Sequence, residues 1–456
     1  METMSDATAA KRGGLAAHPK GLAFLAATEL AERFSYYGMT GLLALYLVKQ
    51  LLLPDHAAQV FGLAQLRHLF EFRGAISNQA FASLIFGWYS GLVYFTPILG
   101  GLLADRWLGA RRTVILGALL MSAGHLAMSF YTTFLMALVM LILGSGCLKG
   151  NISAQVGALY PPEAESLRAR GFTLFSTGIN VGSVLGPVAT GSVAALFGWH
   201  AGFALAAAVM LIALLIYLAG QRHLPDPRPK RVDRAALPPM TADERRKTGA
   251  LLALIALTVP ANIAYPMIWN IGVVWVDQHV DLQSPFGTVP ASWFNSIDAF
   301  SSIVIAAPLV ALWTWQARRG SEPGNITKIA IGSAIVGAAA LLFAAGCAVS
   351  SNGAVSVLWA LAGYAGMGVA FMWFWPILLA LISQAAPAKV NSTLMGAAFL
   401  SLFVGSTMMG WVGSFYDQMS NAAFWMLDAA IAFAGALLIF LIRKPMQHLL
   451  DPVAMR

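Results

Sequence analysis

The sequence is poor in charged residues. Only 11% of its 456 residues are Asp, Glu, Lys or Arg, whereas 58% are hydrophobic. A soluble protein carries about 25% charged residues, so this chain lacks the polar side chains that would cover soluble domains of its length. This scarcity excludes a set of soluble globular domains and indicates a chain that crosses a membrane many times.

Cysteine and catalytic motifs are also scarce. The two cysteines, Cys147 and Cys347, lie inside apolar stretches, so we expect no disulfide framework. The first 20 residues contain no apolar core of the signal-peptide type, which predicts an N-terminus that stays in the cytoplasm. The sequence shows no Walker loop, metal-ligand cluster or nucleophile triad. We therefore predict neither an ATP-driven pump nor an enzyme, and no bound metal or organic cofactor.

Apolar runs long enough to cross a bilayer core recur along the chain. Six precede and six follow a charged, proline-rich stretch whose composition is typical of a linker. The predicted helices, numbered 1 to 12, cover residues 22–53, 79–104, 111–130, 132–158, 171–198, 201–221, 248–277, 291–316, 327–349, 354–386, 391–415 and 422–442. The predicted organisation is a cytoplasmic tail (1–20), a six-helix bundle (21–221), a cytoplasmic linker (222–248), a second six-helix bundle (249–443) and a cytoplasmic tail (444–456).

The distribution of positive charge predicts the orientation in the membrane. Of the 28 Lys and Arg residues, 23 fall in segments on the same side as the N-terminus, and only Lys49, Arg67 and Arg73 fall on the other. Cytoplasmic loops carry such an excess. The net charge of +8 is therefore interpreted as a topology signal and not as a nucleic-acid-binding surface. We predict a multi-pass plasma-membrane protein of bacterial inner-membrane type, with both termini cytoplasmic.

Two six-helix halves joined by a cytoplasmic linker are the layout of major facilitator transporters, in which the substrate site lies between the halves near the midplane. We therefore expect this all-α fold. The loop after helix 2 resembles the superfamily's signature, with the sequence GLLADRWLGARR at residues 101–112. The resemblance implies an inner gate made of Asp105, Arg106, Arg111 and Arg112, which breaks as the halves rock. Alternatively, the three arginines only anchor the loop at the inner surface.

Helix 1 carries a cluster of polar side chains on one face. Glu29, Glu32, Arg33, Tyr36 and Tyr37 stand at i, i+3, i+4, i+7 and i+8. Ionisable groups inside a bilayer cost roughly 2.5–3.5 kcal/mol each on insertion scales, so each is a functional candidate. Two carboxylates beside one guanidinium leave one negative charge unmatched, and such a group can carry a proton. The alternative is a static buried salt-bridge cluster.

The same segment resembles a known family. Residues 29–38 match the ExxERFxYYG motif of the proton-dependent oligopeptide transporter family in full. Residues 144–153 in helix 4 resemble the family's Gly-x-Gly-x-x-Lys-Pro-x-x-Ser segment, with Gly150 in place of the proline. Residues 172–180, 290–294 and 386–396 are similar to further family segments.

The resemblance implies a proton-coupled symporter of di- and tripeptides that works by alternating access, with the proton as the coupling ion and the monomer as the functional unit. The residues it assigns to proton coupling are Glu29, Glu32, Arg33 and Lys149. Arg33 and Lys149 would also hold the peptide's C-terminal carboxylate. The resemblance also assigns Tyr37, Tyr94 and Asn180 to the substrate site. We add Trp293 and Asp298 to this site as our own predictions.

The second half departs from the family pattern. Phe371 stands where many members have a helix 10 Glu that is thought to receive the peptide's amino group, and Met267, Asp298 and Ala398 replace a Gln, an Asn and a Trp. Because Asp298 lacks a Lys or Arg within one helical turn, we hypothesise that it takes over recognition of the amino group; a solvated or protonated Asp near the outer cavity is the alternative. The cargo could also be another small solute with amino and carboxylate groups, or the chain a non-transporting sensor.

Two further ionisable residues receive structural interpretations. His125 in helix 3 is expected to be a hydrogen-bonded core histidine, and Asp428 in helix 12 is expected to be solvated near the outer surface.

Overall fold

The structure, a computed structural model, describes residues 18–72, 74–161, 163–225, 239–285, 287–350 and 353–450. Twelve long helices dominate this part of the chain. They are α1 (Lys20–Tyr46), α2 (Asn78–Leu103), α3 (Gly109–Ala127), α4 (Phe134–Ala158), α5 (Glu165–Phe197), α6 (Trp199–Gly220), α7 (Ala242–His279), α8 (Asn295–Arg318), α9 (Asn325–Val349), α10 (Val357–Ala385), α11 (Asn391–Gly413) and α12 (Asn421–Leu450). Each of the twelve predicted helices is present.

Short elements connect the long helices. One antiparallel hairpin, β1 (Gln283–Ser284) with β2 (Gly287–Thr288), precedes α8. The other short elements are helical turns at Leu47–Leu51, Pro54–Ala57, Leu63–Phe70, Ala104–Leu108, Tyr131–Thr133, Gln221–His223, Ala291–Phe294 and Tyr416–Gln418.

Three helices differ from their predictions. α5 begins at Glu165, before its predicted start at residue 171. The continuous helix predicted for residues 248–277 is interrupted, because α7 consists of Ala242–Leu257, Val259–Ala264, a π-helical turn at Ile268–Gly272 and Val273–His279. α12 continues past residue 442 to Leu450. Its last turns stay helical because Leu450 is buried in an apolar core that Met446 and Leu449 also contact.

Length and composition make this a multi-pass membrane protein. Ten helical segments in the described residues are long and apolar enough to cross a bilayer, and one of them, Asn78–Ala127, contains both α2 and α3. α1 does not belong to these ten, since Glu29, Glu32 and Arg33 lie within it. The helix that carries the predicted coupling cluster thus contains three charged residues within its span.

The described chain divides into two compact units. The first contains residues 18–42, 54–64, 95–161 and 163–225. The second contains residues 43–53, 65–72, 74–94, 239–285, 287–350 and 353–450. The bounds that we assigned to the two bundles from the sequence stay a prediction.

In the first unit, glycines bring α5 close to α1. Gly178, Gly182 and Gly186 recur once per turn of α5, and a Cβ placed on Gly182 would lie 2.5 Å from the carbonyl oxygen of Leu30. Small residues allow this approach between membrane helices. The backbone of α1 is thereby held against α5 at the level of the Glu29, Glu32 and Arg33 cluster.

In the second unit, the first half of α2 meets α11 and α7. Gly87 faces Gly410 backbone to backbone. The Ser83 hydroxyl donates to the Gly410 carbonyl oxygen at 2.9 Å, and the Asn270 side-chain amide donates to Ser83 Oγ at 2.7 Å. These hydrogen bonds satisfy polar groups that would be costly if they were left unpaired in an apolar interior.

Candidate functional site

The charged cluster on α1 is compact and buried. Arg33 Nε lies 2.9 Å from Glu29 Oε1 and 2.6 Å from Glu32 Oε2. All three residues are buried. The structure therefore brings together the two carboxylates and the guanidinium that the spacing predicted on one helix face.

The two carboxylates are held differently. Arg33 donates its single Nε–H to Glu29. Glu32 is wholly buried, and among the described residues neither of its carboxylate oxygens makes a hydrogen bond of acceptable geometry. Glu32 and Arg33 form an ion pair, with Glu32 Oε2 2.6 Å from Arg33 Nε. A buried carboxylate without hydrogen bonds is costly as an anion, so Glu32 is the member best placed to bind a proton.

Lys149 approaches the cluster from α4. Its Nζ atom lies 4.5 Å from the centroid of the Tyr36 ring, and the Arg33 Cζ atom lies 5.6 Å from the same centroid. Tyr36 therefore contacts two cations, an arrangement that cation–π attraction favours. Lys149 is also within electrostatic range of Glu32 and Glu29. The predicted coupling residues thus form one group in the first unit.

The other predicted substrate residues are distributed over both units. Tyr37 is half-buried and packs edge-to-face on Tyr36 at 5.1 Å. Asn180 is exposed on α5, two residues before Gly182, which packs on Arg33. Tyr94, Trp293 and Asp298 belong to the second unit.

The residues of the predicted gate lie at the end of α2 and the start of α3. Asp105 and Arg106 are exposed in the π-helical turn at Ala104–Leu108. Gly109 follows with a φ of 75°, a conformation that favours glycine. Arg111 donates to the Leu224 carbonyl oxygen. Within the described ranges, Asp105 makes no ion pair with Arg106, Arg111 or Arg112, so the gate stays a prediction.

Asp298 in the first turn of α8 is buried, and it has hydrogen-bond partners. Its side chain accepts from the Tyr265 hydroxyl at 2.8 Å and from the Ala299 N–H at 2.7 Å. The side chain of Trp269 also hydrogen-bonds to it. Only 3% of the residue is exposed. The alternative of a solvated Asp298 is therefore wrong, because neighbouring donors on α7 and α8 replace water. Recognition of the amino group by Asp298 stays a prediction.

The positions that depart from the family pattern lie in the same unit. Phe371 is half-buried and stacks on Tyr265, with ring centroids 5.7 Å apart and an interplanar angle of 28°. Met267 and Ala398 are fully buried. Our sequence interpretation did not identify Tyr265. Its position beside Pro266, inside a predicted helix, is the signal that could have found it.

Two predictions about buried ionisable residues are wrong. Asp428 is fully buried, and neither carboxylate oxygen has a hydrogen-bond partner among the described residues. His125 is a core residue as expected, but neither ring nitrogen has a hydrogen-bond partner there. Both predictions relied on position along a helix, which does not show what faces the side chain.

The chain is similar to known transporters over almost its whole length. The model of the Major Facilitator Superfamily matches residues 30–410. A di-/tripeptide transporter of Lactococcus lactis subsp. cremoris is 28% identical, with 95% of this chain and 97% of that protein covered. A peptide transporter of Yersinia enterocolitica is also 28% identical, with 95% and 96% covered.

Solved structures show a similar fold. The crystal structure of a peptide transporter in complex with sulfate superimposes with a TM-score of 0.84, at 23% identity and with 98% of this chain and 100% of that chain covered. A transporter crystallised with 5-aminolevulinic acid gives a TM-score of 0.80 at 21% identity, with 95% and 98% covered.

Proposed function

Because the chain belongs to the Major Facilitator Superfamily, and within it to the proton-dependent oligopeptide transporter family, we propose that it is a proton-coupled symporter of di- and tripeptides. It moves its substrate by alternating access and catalyses no reaction. The observation that carries this proposal is the group formed by the buried residues Glu29, Glu32 and Arg33 together with the half-buried Lys149. A protein without transport function would have no use for so many charges inside membrane helices.

Glu32 is the proposed proton acceptor. The Nε–H of Arg33 is donated to Glu29, so Glu32 is the carboxylate without a hydrogen bond. When Glu32 is neutral, one guanidinium and one carboxylate balance each other; when it ionises, the surplus charge favours pairing with a further cation. Proton binding at Glu32 therefore changes which group Arg33 and Lys149 can attract. Protons are the only coupling agent that this mechanism needs.

Arg33 and Lys149 are the proposed partners of the substrate carboxylate. Both side chains are cations, and Tyr36 holds them close together through its ring. Charge-assisted hydrogen bonds to a carboxylate are about twice as strong as neutral ones. Proton release from Glu32 and substrate release are linked because an ionised Glu32 competes with the substrate carboxylate for the same cations.

The remaining assignments follow from the family and from the charge distribution. We propose that Tyr37, Tyr94, Asn180 and Trp293 line the substrate site, and that Asp105 pairs with Arg106, Arg111 or Arg112 when the inner gate closes. The protein lies in a bacterial inner membrane with both termini cytoplasmic and works as a monomer.

The alternative substrate is a small solute other than a peptide. Phe371 occupies the position of an acidic residue, and the nearby carboxylate of Asp298 is buried behind Tyr265. This altered wall is compatible with another small solute that bears amino and carboxylate groups. Dipeptides displace the true substrate in uptake competition only if peptides are the cargo.

The test of the proposed function is transport by purified protein in liposomes. Wild-type protein should accumulate a dipeptide when the interior is made alkaline. Glu32→Gln should abolish this accumulation while counterflow exchange of the dipeptide continues, because exchange returns substrate without net proton movement. Glu244→Gln, at a half-buried residue in the first turn of α7 in the second unit, is the control, and this variant should accumulate the dipeptide normally. Normal pH-driven accumulation by Glu32→Gln would disprove the assignment.

A further inference from the structure

Three helices of the second unit meet at Asp298. The helical pattern of α7 is broken at Tyr265 and Pro266, near the middle of the segment Ala242–His279. Tyr265 donates its hydroxyl to Asp298 in the first turn of α8, and its ring stacks on Phe371 of α10. Irregular backbone in a membrane helix is tolerated where it is buried in protein or lines a water-filled cavity, and discontinuous helices often form substrate sites. Tyr265 and Pro266 are half-buried, so the break is partly open.

The backbone around Asp298 is fixed to α10. The Ser301 and Ser302 hydroxyls both donate to the Asp298 carbonyl oxygen, and they also donate to the carbonyl oxygens of Ala365 and Gly368 at 3.1 and 2.9 Å. Only glycine fits at position 368 of α10, because a Cβ at this position would collide with the Asp298 carbonyl oxygen and with Ser301 Oγ. The backbone of Asp298 is therefore held against α10.

The surface that remains open beside this junction is aromatic. Tyr265 and Phe371 are half-buried, so part of the stacked pair is uncovered. Trp375 lies one turn along α10 from Phe371 and packs edge-to-face on Phe399 of α11, with centroids 5.7 Å apart. We call these four residues, Tyr265, Phe371, Trp375 and Phe399, the aromatic shelf.

We infer that Asp298 is a positioning residue that holds Tyr265 in the aromatic shelf, and that the shelf selects substrates by an apolar or aromatic side chain instead of by a free amino group. This inference rests on the proposed function. The substrate class is a short peptide, free or N-acylated, with a bulky apolar side chain and a free carboxylate. An aromatic ring packed on the shelf should improve affinity about tenfold over a methyl group.

The test measures binding of three ligands to purified protein: dialanine, phenylalanyl-alanine and N-acetyl-phenylalanyl-alanine. Wild type should bind both phenylalanyl ligands more tightly than dialanine. N-acetylation of the ligand should reduce its affinity by less than about tenfold, because an aromatic face attracts an amine more weakly than an exposed carboxylate does. Phe371→Leu should reduce the ratio of the affinity for phenylalanyl-alanine to the affinity for dialanine.

Variants of Asp298 separate a positioning role from direct contact. Asp298→Ala removes the acceptor for the Tyr265 hydroxyl. This variant should lower the affinity for both phenylalanyl ligands by the same factor. Asp298→Asn keeps an oxygen that can accept this hydroxyl, so it should rescue binding relative to Asp298→Ala. If Asp298→Ala does not fold, Asp298→Asn and Phe371→Leu still decide the question.

Two results would overturn the inference. One is a loss in Asp298→Asn that affects the free amine and spares the N-acetyl ligand, which would mean that Asp298 meets the amine itself. The other is a wild type that rejects the N-acetyl ligand. If wild type neither binds nor accumulates any of the three ligands, the proposed peptide function fails, and the inference fails with it. If peptides are bound and accumulated without any aromatic preference, the inference alone fails.

Discussion

Arg33 has one Nε–H and two carboxylate neighbours, and this mismatch gives Glu29 and Glu32 different chemistry. Glu29 receives the hydrogen bond, whereas Glu32 remains a buried acid in an ion pair with Arg33. The spacing of the motif predicts that the three side chains share a face. It does not predict which carboxylate lacks a hydrogen bond, because that depends on the direction of one N–H bond.

Removal of the Lys149 side chain should lower the affinity for a substrate that has a free carboxylate. Lys149→Ala should lower the affinity for a free-acid dipeptide by roughly tenfold to a hundredfold, since a hydrogen bond to a charged group contributes about 1.5–3 kcal/mol. A C-terminally amidated analogue lacks the negative charge and should lose much less. Calorimetric titration of the purified protein with both ligands measures the two losses.

A matched control is available in the second unit. Lys328 is buried, hydrogen-bonds to Glu322 and, like Lys149, lies over an aromatic ring, with its Nζ atom 4.3 Å from the centroid of Trp313. Lys328→Ala should change the affinity for both ligands to the same extent. Equal losses for the two ligands in Lys149→Ala would show that Lys149 supports coupling or folding and does not recognise the carboxylate.

The sequence does not predict which groups contact an individual buried side chain. Asp428 and His125 are both fully buried without hydrogen-bond partners in the described residues. The sequence places each on a helix, but the partner of a side chain comes from other helices. The coupling cluster could be predicted because all of its members except Lys149 lie on one helix. The pairing of Tyr265 with Asp298 could not, because it joins residues of two helices.

At the scale of the helices, the glycines of α5 determine how closely α1 packs. A Cβ on Gly182 would lie 2.5 Å from the Leu30 carbonyl oxygen and 2.8 Å from Arg33 Cβ. Gly182→Ala should therefore cost about 1–3 kcal/mol through overpacking, and displace the Arg33 backbone. We expect a lower midpoint of thermal unfolding in detergent together with weaker proton-driven accumulation.

Gly150 on α4 is the control for this substitution. A Cβ there would meet nothing within 4 Å. Gly150→Ala should be neutral or stabilise by about 0.5–1 kcal/mol, because Ala restricts the unfolded chain and favours a helix. An unfolding midpoint that falls equally in both variants would contradict the role assigned to the α1–α5 contact.

Helix positions could be predicted more completely than helix interiors. Runs of apolar residues identify all twelve helices, because the bilayer imposes a minimum length on each. The break in α7 lies within such a run, VPANIAYPMIWNIG, whose composition does not interrupt the apolar pattern. Pro266 predicts a local loosening. The π-helical turn that follows at Ile268–Gly272 depends on packing against other helices, which the sequence does not reveal.

At the scale of the whole molecule, the positive charges predict how the chain is threaded through the membrane. Lys and Arg occur mainly in segments that the predicted topology places inside, and the bias is carried by short loops, where it is most informative. Both halves contribute to it. The orientation is therefore specified more than once, and removal of a single charged loop should not reverse it.

Cysteine labelling tests this topology. The native Cys147 and Cys347 are replaced by alanine and serine, and single cysteines are introduced as Phe72→Cys, at a residue that is 75% exposed, or Arg245→Cys, also exposed. A membrane-impermeant maleimide should label Phe72→Cys in intact cells and Arg245→Cys only after the membrane is opened. Five helices, α2 to α6, separate the two positions, so they must lie on opposite sides. Labelling of both in intact cells would refute the helix count, whereas labelling of Arg245→Cys alone would refute the orientation.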